Sequence, residues 1–214
     1  MIITVVSVIL ELVLGMLIAQ AMYRAIFART AIRASVLVPY GAVTVVAAFA
    51  WRLAFDPATG FATNLFNLEP PPLTTHWGTM FVIIATEVWK TTPFIALLLL
   101  GGLALVPDDL YKAAKMDGAT SWQRFIKITL PLIRPALMVA VIFRALDAIR
   151  IFDLVYVLTG VNESTMTMSV YARQQLIEFQ QVGYGSAAST LLFFIVAVLT
   201  VVYVVAGRVK LGDA

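Results

Sequence analysis

Residues 2–23 read IITVVSVILELVLGMLIAQAMY, with Glu11 the one charged side chain among them. A helix needs about 20 mostly apolar residues to cross the hydrocarbon core of a bilayer, and this stretch has that length. A cleavable leader would carry a basic start and a shorter apolar core. Met1–Thr4 has no basic residue, and the apolar stretch runs on too long. Four further stretches of the same kind follow, over 35–55, 78–106, 132–157 and 187–207. The expected fold is all-α: a polytopic transmembrane bundle of about five helices, forming a single membrane domain over residues 1–214.

The rest of the composition agrees. Of 214 residues, 61% are hydrophobic and 13% charged, against about 45–50% and about 25% in soluble domains. Mean hydropathy is +0.94. The absence of cysteine excludes disulfides and thiolate chemistry, and the single histidine, His76, gives no basis for a histidine metal site or a catalytic triad. The net charge of +3 is small and its basic residues sit in short loops, which does not describe a nucleic-acid-binding stripe.

Lys and Arg placement sets orientation in a membrane. Arg24, Arg29 and Arg33 follow the first stretch, five basic residues lie between Lys112 and Arg134, and Arg208 and Lys210 end the chain. Together they are ten of the 15 basic residues, whereas the opposite loops, 56–77 and 158–186, hold Arg173 alone. The basic loops and the C-terminus are therefore expected on the cytoplasmic side of the cell membrane. The N-terminus is then outside, which predicts a helix upstream of Met1 or an internal start there. The outer loops carry turn chemistry at Asp56-Pro57, Gly60, Pro70–Pro72 and Gly160, with Gly183 and Gly185 also read as loop and a polar helical patch at Arg173–Gln175.

The inner loop over 107–131 is more than a connector. Asp108 and Asp109 suit a helix start, and Gly118 supplies a left-handed stop after Asp117. Thr120 and Gln123 have capping-box spacing for a second short helix. Trp122, Phe125, Ile126 and Thr129 are expected on one side of it, and Pro131 in the first turn of the next span. Such a helix-turn-helix suits docking into a groove on another protein, or lying on lipid headgroups.

The residues Ala113-Ala114, Asp117-Gly118-Ala119, Phe125, Ile128, Leu130-Pro131 and Pro135 resemble the EAA loop of bacterial ABC-importer permeases. The resemblance extends over nearly the whole chain and is nearest to carbohydrate permeases of the maltose-importer type. Val38–Gly41, Glu87–Phe94 and Phe143–Asp153 look like the permeases of actinobacterial trehalose importers. It implies a type I importer permease fold and a coupling loop seated in an ATPase through Ala113, Ala114, Asp117, Gly118, Ala119, Trp122 and Phe125. Lys112 stands where the family has its leading glutamate. The implied partners are a second permease subunit, a dimer of ATP-binding subunits that uses the ATP and Mg, and an extracytoplasmic sugar-binding lipoprotein. This chain has no GxxxxGK[ST] phosphate loop and is expected to bind no cofactor and to be no enzyme. Trehalose or a related disaccharide is the implied substrate, with polyols and glycerol phosphates as alternatives.

Charges inside apolar spans cost about 2.5–3.5 kcal/mol each on insertion scales and gather at cavities or partners. Arg144, Asp147, Arg150 and Asp153 recur every third residue, with alternating signs that point to internal pairing. Glu87 and Lys90 share the same spacing beside Trp89, and Pro93 is expected to break that span. Glu11 and Arg52 read as isolated charges, and Trp51 and Trp77 as interfacial anchors. The expected substrate path comprises Glu87, Trp89, Lys90, Phe94, Arg144, Asp147 and Arg150, with Phe152 adding an apolar face for a sugar ring. A ladder of structural ion pairs accounts for the same charges without a substrate. An ion-coupled secondary transporter would show inverted repeats, and a membrane enzyme a catalytic cluster; neither is evident in the sequence.

Overall fold

The structure is a computed structural model that describes residues 1–24 and 29–206. Arg208 and Lys210, which enter the orientation argument, lie outside the described residues. Three helices are long and apolar enough to cross a bilayer unbroken: α1 (Ile2–Arg24), α5 (His76–Ala104) and α12 (Val182–Ala206). Between α1 and α5 come α2 (Arg29–Gly41), α3 (Thr44–Ala54) and the short α4 (Phe61–Leu65). After α5 come α6 (Asp108–Met116), α7 (Ser121–Arg124), a π turn over Phe125–Thr129, α8 (Leu130–Leu132) and α9 (Arg134–Ile149). The outer segments α10 (Asp153–Thr159) and α11 (Met168–Arg173) precede α12. No strand occurs among the described residues.

Two of the five expected spans are not straight helices. The 35–55 stretch is divided between α2 and α3, which meet at 85°. Gly41 ends the first helix and Val43 is extended at φ −60°, ψ 132°, so the chain turns before α3 begins. The 132–157 stretch is interrupted twice. A 69° bend at Ile133 separates α8 from α9, because Pro135 has no N–H for the carbonyl four residues back. Pro131 lies in the first turn of α8, as expected for the start of the span, and Pro135 in that of α9. The second break is Arg150–Phe152, between α9 and α10. There the Arg150 and Ile151 carbonyls accept from Ser169 Oγ (3.2 Å) and Thr167 Oγ1 (3.0 Å), so side chains replace helical partners. Unwound backbone at membrane depth requires such substitutes.

Pro93 does not break α5, which runs continuously from His76 to Ala104. The Thr91 and Thr92 hydroxyls bond back to the Glu87 and Val88 carbonyls, both at 2.6 Å, in the turn before the proline. Pro is tolerated in membrane helices on such terms. The last span begins earlier than its apolar pattern, at Val182, so Gly183 and Gly185 are helical rather than loop. Gly185 lets α12 pass against Leu176, where a Cβ would collide.

Helix α1 lies along α5, and α9 crosses both. Two apolar cores result. One joins Met16, Ala19 and Met22 of α1 to Ile95, Leu99 and Leu103 of α5, with Ile133 and Ala140. The other joins Ile3, Ala48, Ile83, Leu154, Val155 and Val170 toward the outer end. Gly15 permits the close α1–α5 approach, since a Cβ there would meet Ile95 Cγ2 at 2.6 Å.

Between the two cores sits a buried ionic cluster. Glu11 (0% exposed) is not isolated: with Glu87 of α5 it holds the guanidinium of Arg144 on α9, itself 1% exposed. Arg144 Nε and Nη2 both reach Glu11, Nη2 also reaches Glu87, and Nη1 lies 2.7 Å from Asp147 Oδ2. The Thr91 hydroxyl lies 2.7 Å from Glu11 Oε1. Of the alternating charges in the fourth span, Arg144 therefore pairs across helices as well as with Asp147, whereas Arg150 and Asp153 form no ion pair among the described residues.

Breaking one arm of a buried ion cluster strands the remaining charges, at about 3–5 kcal/mol. Glu11→Ala is expected to lower the thermal unfolding midpoint in detergent sharply. Asp147→Asn, whose side chain is 75% exposed, should cost about 1 kcal/mol or less. Similar midpoints for the two variants would contradict this ranking. Gly15→Val should overpack the α1–α5 seam by about 1–3 kcal/mol. Gly101→Val, with nothing near its Cβ position, should be nearly neutral in the same measurement.

Candidate functional site

A cavity of 490 Å³ opens above the ionic cluster, where the α2–α3 bend, α5 and the unwound end of α9 meet. Each wall follows from a local break or a helical spacing. The α2 end before the bend presents Tyr40, and the unwound Arg150–Phe152 segment turns Arg150 and Phe152 toward the opening. Glu87, Lys90 and Thr91 lie on one face of α5, three and four residues apart. Asp147 enters from the last turn of α9.

Of the expected path residues, Glu87, Lys90, Asp147 and Arg150 line this cavity. Arg144 lies beneath it, sealed by its carboxylates. Phe94 is also below the wall, stacked on Tyr40 at 5.5 Å and 15°. Trp89 faces elsewhere: two positions from Glu87 is more than half a helical turn, and its ring packs near Trp51 at 6.0 Å. Trp51 also stacks on Phe55, whereas Trp77 is exposed at the start of α5. Arg52 donates to the Val157 carbonyl at 3.2 Å. Tyr40, which the sequence reading passed over, sits 5.6 Å under Lys90 Nζ, a cation–π arrangement. Its one sequence signal was an aromatic beside Pro39 and Gly41 inside an apolar stretch. Lys90 is 9% exposed, and neither it nor Arg150 has a carboxylate within 4 Å among the described residues.

The loop over 107–131 is the second candidate element. Helix α6 ends in a Schellman turn: the Ala119 N–H donates to the Ala114 carbonyl (2.9 Å) and Gly118 N–H to Lys115 (3.2 Å). Gly118 has φ +77° and Asp117 N–H donates to Ala113 at 3.0 Å. Thr120 and Gln123 cap α7 reciprocally, at 3.3 and 2.8 Å. Phe125 and Thr129 turn inward, Phe125 against the inner apolar core. Trp122 and Ile126 do not share that side; they are exposed, Trp122 at 70%. The π turn at Phe125–Thr129 inserts a residue into the helical register and so divides the expected face. Tyr111 bonds Thr129 (2.9 Å) and Tyr23 bonds Asp108 (3.0 Å), tying the loop to the bundle. Outward, Leu110, Met116, Trp122 and Ile126 leave an apolar surface, with Lys112 paired to Asp109 at 2.9 Å beside it.

The sequence profile described as "Binding-protein-dependent transport system inner membrane component" matches residues 11–210. The chain is 48% identical over 202 residues to the trehalose transport system permease protein SugA of Mycobacterium tuberculosis, covering 94% of this chain and 66% of that one. It therefore spans just under two thirds of that relative. It is 40% identical over 214 residues to the trehalose/maltose transport system permease protein MalF of Thermococcus litoralis, covering 96% of this chain and 71% of the other. In fold it resembles a chain of a bacterial alginate ABC transporter solved with an alginate pentasaccharide-bound periplasmic protein. That match has TM-score 0.84 at 20% identity, over 99% of this chain and 77% of that one. A chain of the MetNI methionine transporter matches at TM-score 0.62 and 19% identity, over 96% and 88%. The chain belongs to the family of inner membrane components of binding-protein-dependent transport systems.

Proposed function

We propose that this chain is the membrane-spanning permease subunit of an ATP-driven sugar importer, with trehalose or a related disaccharide as substrate. One observation carries the reading. The α7–α9 segment, bent by 69° at Ile133, leads from the exposed Trp122 and Ile126 of the inner loop to Asp147 at the cavity wall. A push on Trp122 would be carried along this segment to Asp147, one of the groups that would hold a substrate. The cavity volume is within the usual range for small-ligand sites, about 300–1,000 Å³. Its mixture of carboxylate, ammonium, guanidinium and aromatic groups suits the hydroxyls and ring face of a sugar.

In this reading Ala113, Ala114, Asp117, Gly118 and Ala119 form the turn that seats the loop in an ATPase, and Trp122 and Met116 supply the apolar contact. Phe125 anchors the loop from behind. ATP and Mg belong to a dimer of ATP-binding subunits, and this chain holds no cofactor. A second permease and an extracytoplasmic sugar-binding lipoprotein complete the assembly. Lys90 and Arg150, without carboxylate partners, favour a second substrate class, an anionic polyol ester such as a glycerol phosphate.

The test is substrate-stimulated ATP hydrolysis and uptake by the complex assembled in liposomes, with trehalose and glycerol phosphate compared. Gly118→Val forces a β-branched residue to positive φ and should uncouple or detach the ATPase. Asp147→Asn should leave assembly intact and lower uptake by at least tenfold. Full uptake by either variant would refute the corresponding role, and stimulation by glycerol phosphate alone would replace the disaccharide.

The same reading sets the basic loops and the C-terminus in the cytoplasm. Asn64→Cys, exposed on α4, should react with an impermeant thiol reagent in intact cells, whereas Lys127→Cys should not. The reverse pattern would invert the topology.

A further inference from the structure

A separate cavity of 300 Å³ lies at the inner end of the bundle, between the last turn of α1 and the α6–α8 loop. From Glu87 to Leu103, its nearest point on α5, is about 24 Å at 1.5 Å per residue. Its polar wall consists of Gln20, Tyr23 and Arg24 from α1, Asp108 and Tyr111 from α6, Ser121 and Arg124 from α7, and Thr129 of the π turn. Most of these groups are already engaged. Asp108 accepts from the Tyr23 hydroxyl, Tyr111 pairs with Thr129, and Arg124 Nη2 donates to Ser121 Oγ at 3.1 Å. Arg124 Nε is not: it is buried, with no hydrogen-bond partner among the described residues. A buried donor without an acceptor is costly, and on a guanidinium more so.

The wall carries two guanidinium groups against one carboxylate, and neither comes within 4 Å of Asp108 among the described residues. The uncompensated chemistry is the Nε donor of a half-buried guanidinium in a pocket of net positive charge, which matches an oxyanion. The position matches too. The cavity lies where the first span ends and the inner loop begins, the depth at which phospholipid phosphates sit. We propose that this cavity is an oxyanion site that takes a phosphate group, from an anionic phospholipid or a soluble phosphate, and clamps the α6–α8 loop to α1. Arg124 immediately precedes the π turn, so a ligand held there fixes the segment through which the loop joins α9. This site is distinct from the proposed substrate cavity and does not depend on which solute that cavity takes.

The experiment uses the full chain, purified with its co-expressed partner subunits, in nanodiscs of phosphatidylcholine with or without phosphatidylglycerol. Native mass spectrometry counts retained phosphatidylglycerol, and calorimetry in phosphatidylcholine discs titrates inorganic phosphate. At least one probe should bind saturably to wild type and to Lys127→Gln, an exposed cation of the same loop outside the cavity. Binding should weaken roughly tenfold in Arg124→Gln and in Arg24→Gln, a loss of one charge-assisted pair. Retained phosphatidylglycerol without a phosphate response assigns the lipid headgroup; saturable phosphate binding without lipid retention assigns a soluble ester. Arg124→Lys keeps the charge but lacks the Nε donor, and should also bind more weakly even if Arg124→Gln does not assemble. The proposal is overturned if neither probe binds wild type, or if Arg124→Lys and Arg24→Gln both bind as wild type does.

Discussion

The middle of the bundle, between its two apolar cores, is arranged around one guanidinium. Arg144 is almost wholly enclosed, and its hydrogen-bonding directions are met by carboxylates from three helices: Glu11 of α1, Glu87 of α5 and Asp147 of its own α9. A charge so placed admits little freedom in how the helices cross, because each carboxylate must arrive within hydrogen-bonding distance. The apolar cores on either side supply burial, which is non-directional. The ion cluster supplies register. It also forms the floor of the cavity, with Asp147 belonging to both.

The segments that line the cavity and shape the inner loop are the ones that depart from straight helix. The α2–α3 bend presents Tyr40, the Arg150–Phe152 break opens α9 toward the cavity, and the π turn divides the loop into an anchored and an exposed face. At the Arg150–Phe152 break the unwound carbonyls are satisfied from elsewhere, by the Thr167 and Ser169 hydroxyls. A membrane interior leaves no other option, since no water is present to take the missing partners.

The succession of apolar segments and the caps of the inner loop were legible in the sequence, whereas the π turn that divides the face of its second helix was not. Hydropathy reports transfer from water directly, and the Asp108, Gly118, Thr120 and Gln123 signals are local. The pairing of Arg144 was not legible, because a three-residue spacing favours partners on the same helix, whereas Glu11 is 133 positions away. The same locality misjudged Pro93, whose consequence depends on Thr91 and Thr92 and on packing against α1. Trp89 was grouped with Glu87 and Lys90 by proximity in the chain, although helical geometry turns it away. Hydropathy likewise could not locate the bends, since the residues around Gly41 and Ile133 are as apolar as those of a continuous span.

Helix α12 has 25 residues, about 37 Å at 1.5 Å per residue, against a hydrocarbon core of about 30 Å. Most of its length is exposed apolar surface such as Leu191, Phe193, Val198 and Val202. Such a helix must tilt, or carry its ends into the headgroups, to keep that surface in lipid. Its first turns rest through Gly185 on Leu176, just past α11, and Tyr203 near its far end bonds the Met138 carbonyl of α9 at 3.1 Å. Bilayer thickness is thereby a mechanical load on α9: a thinner membrane favours greater tilt of α12, and the strain is delivered at both of its attachments to the bundle.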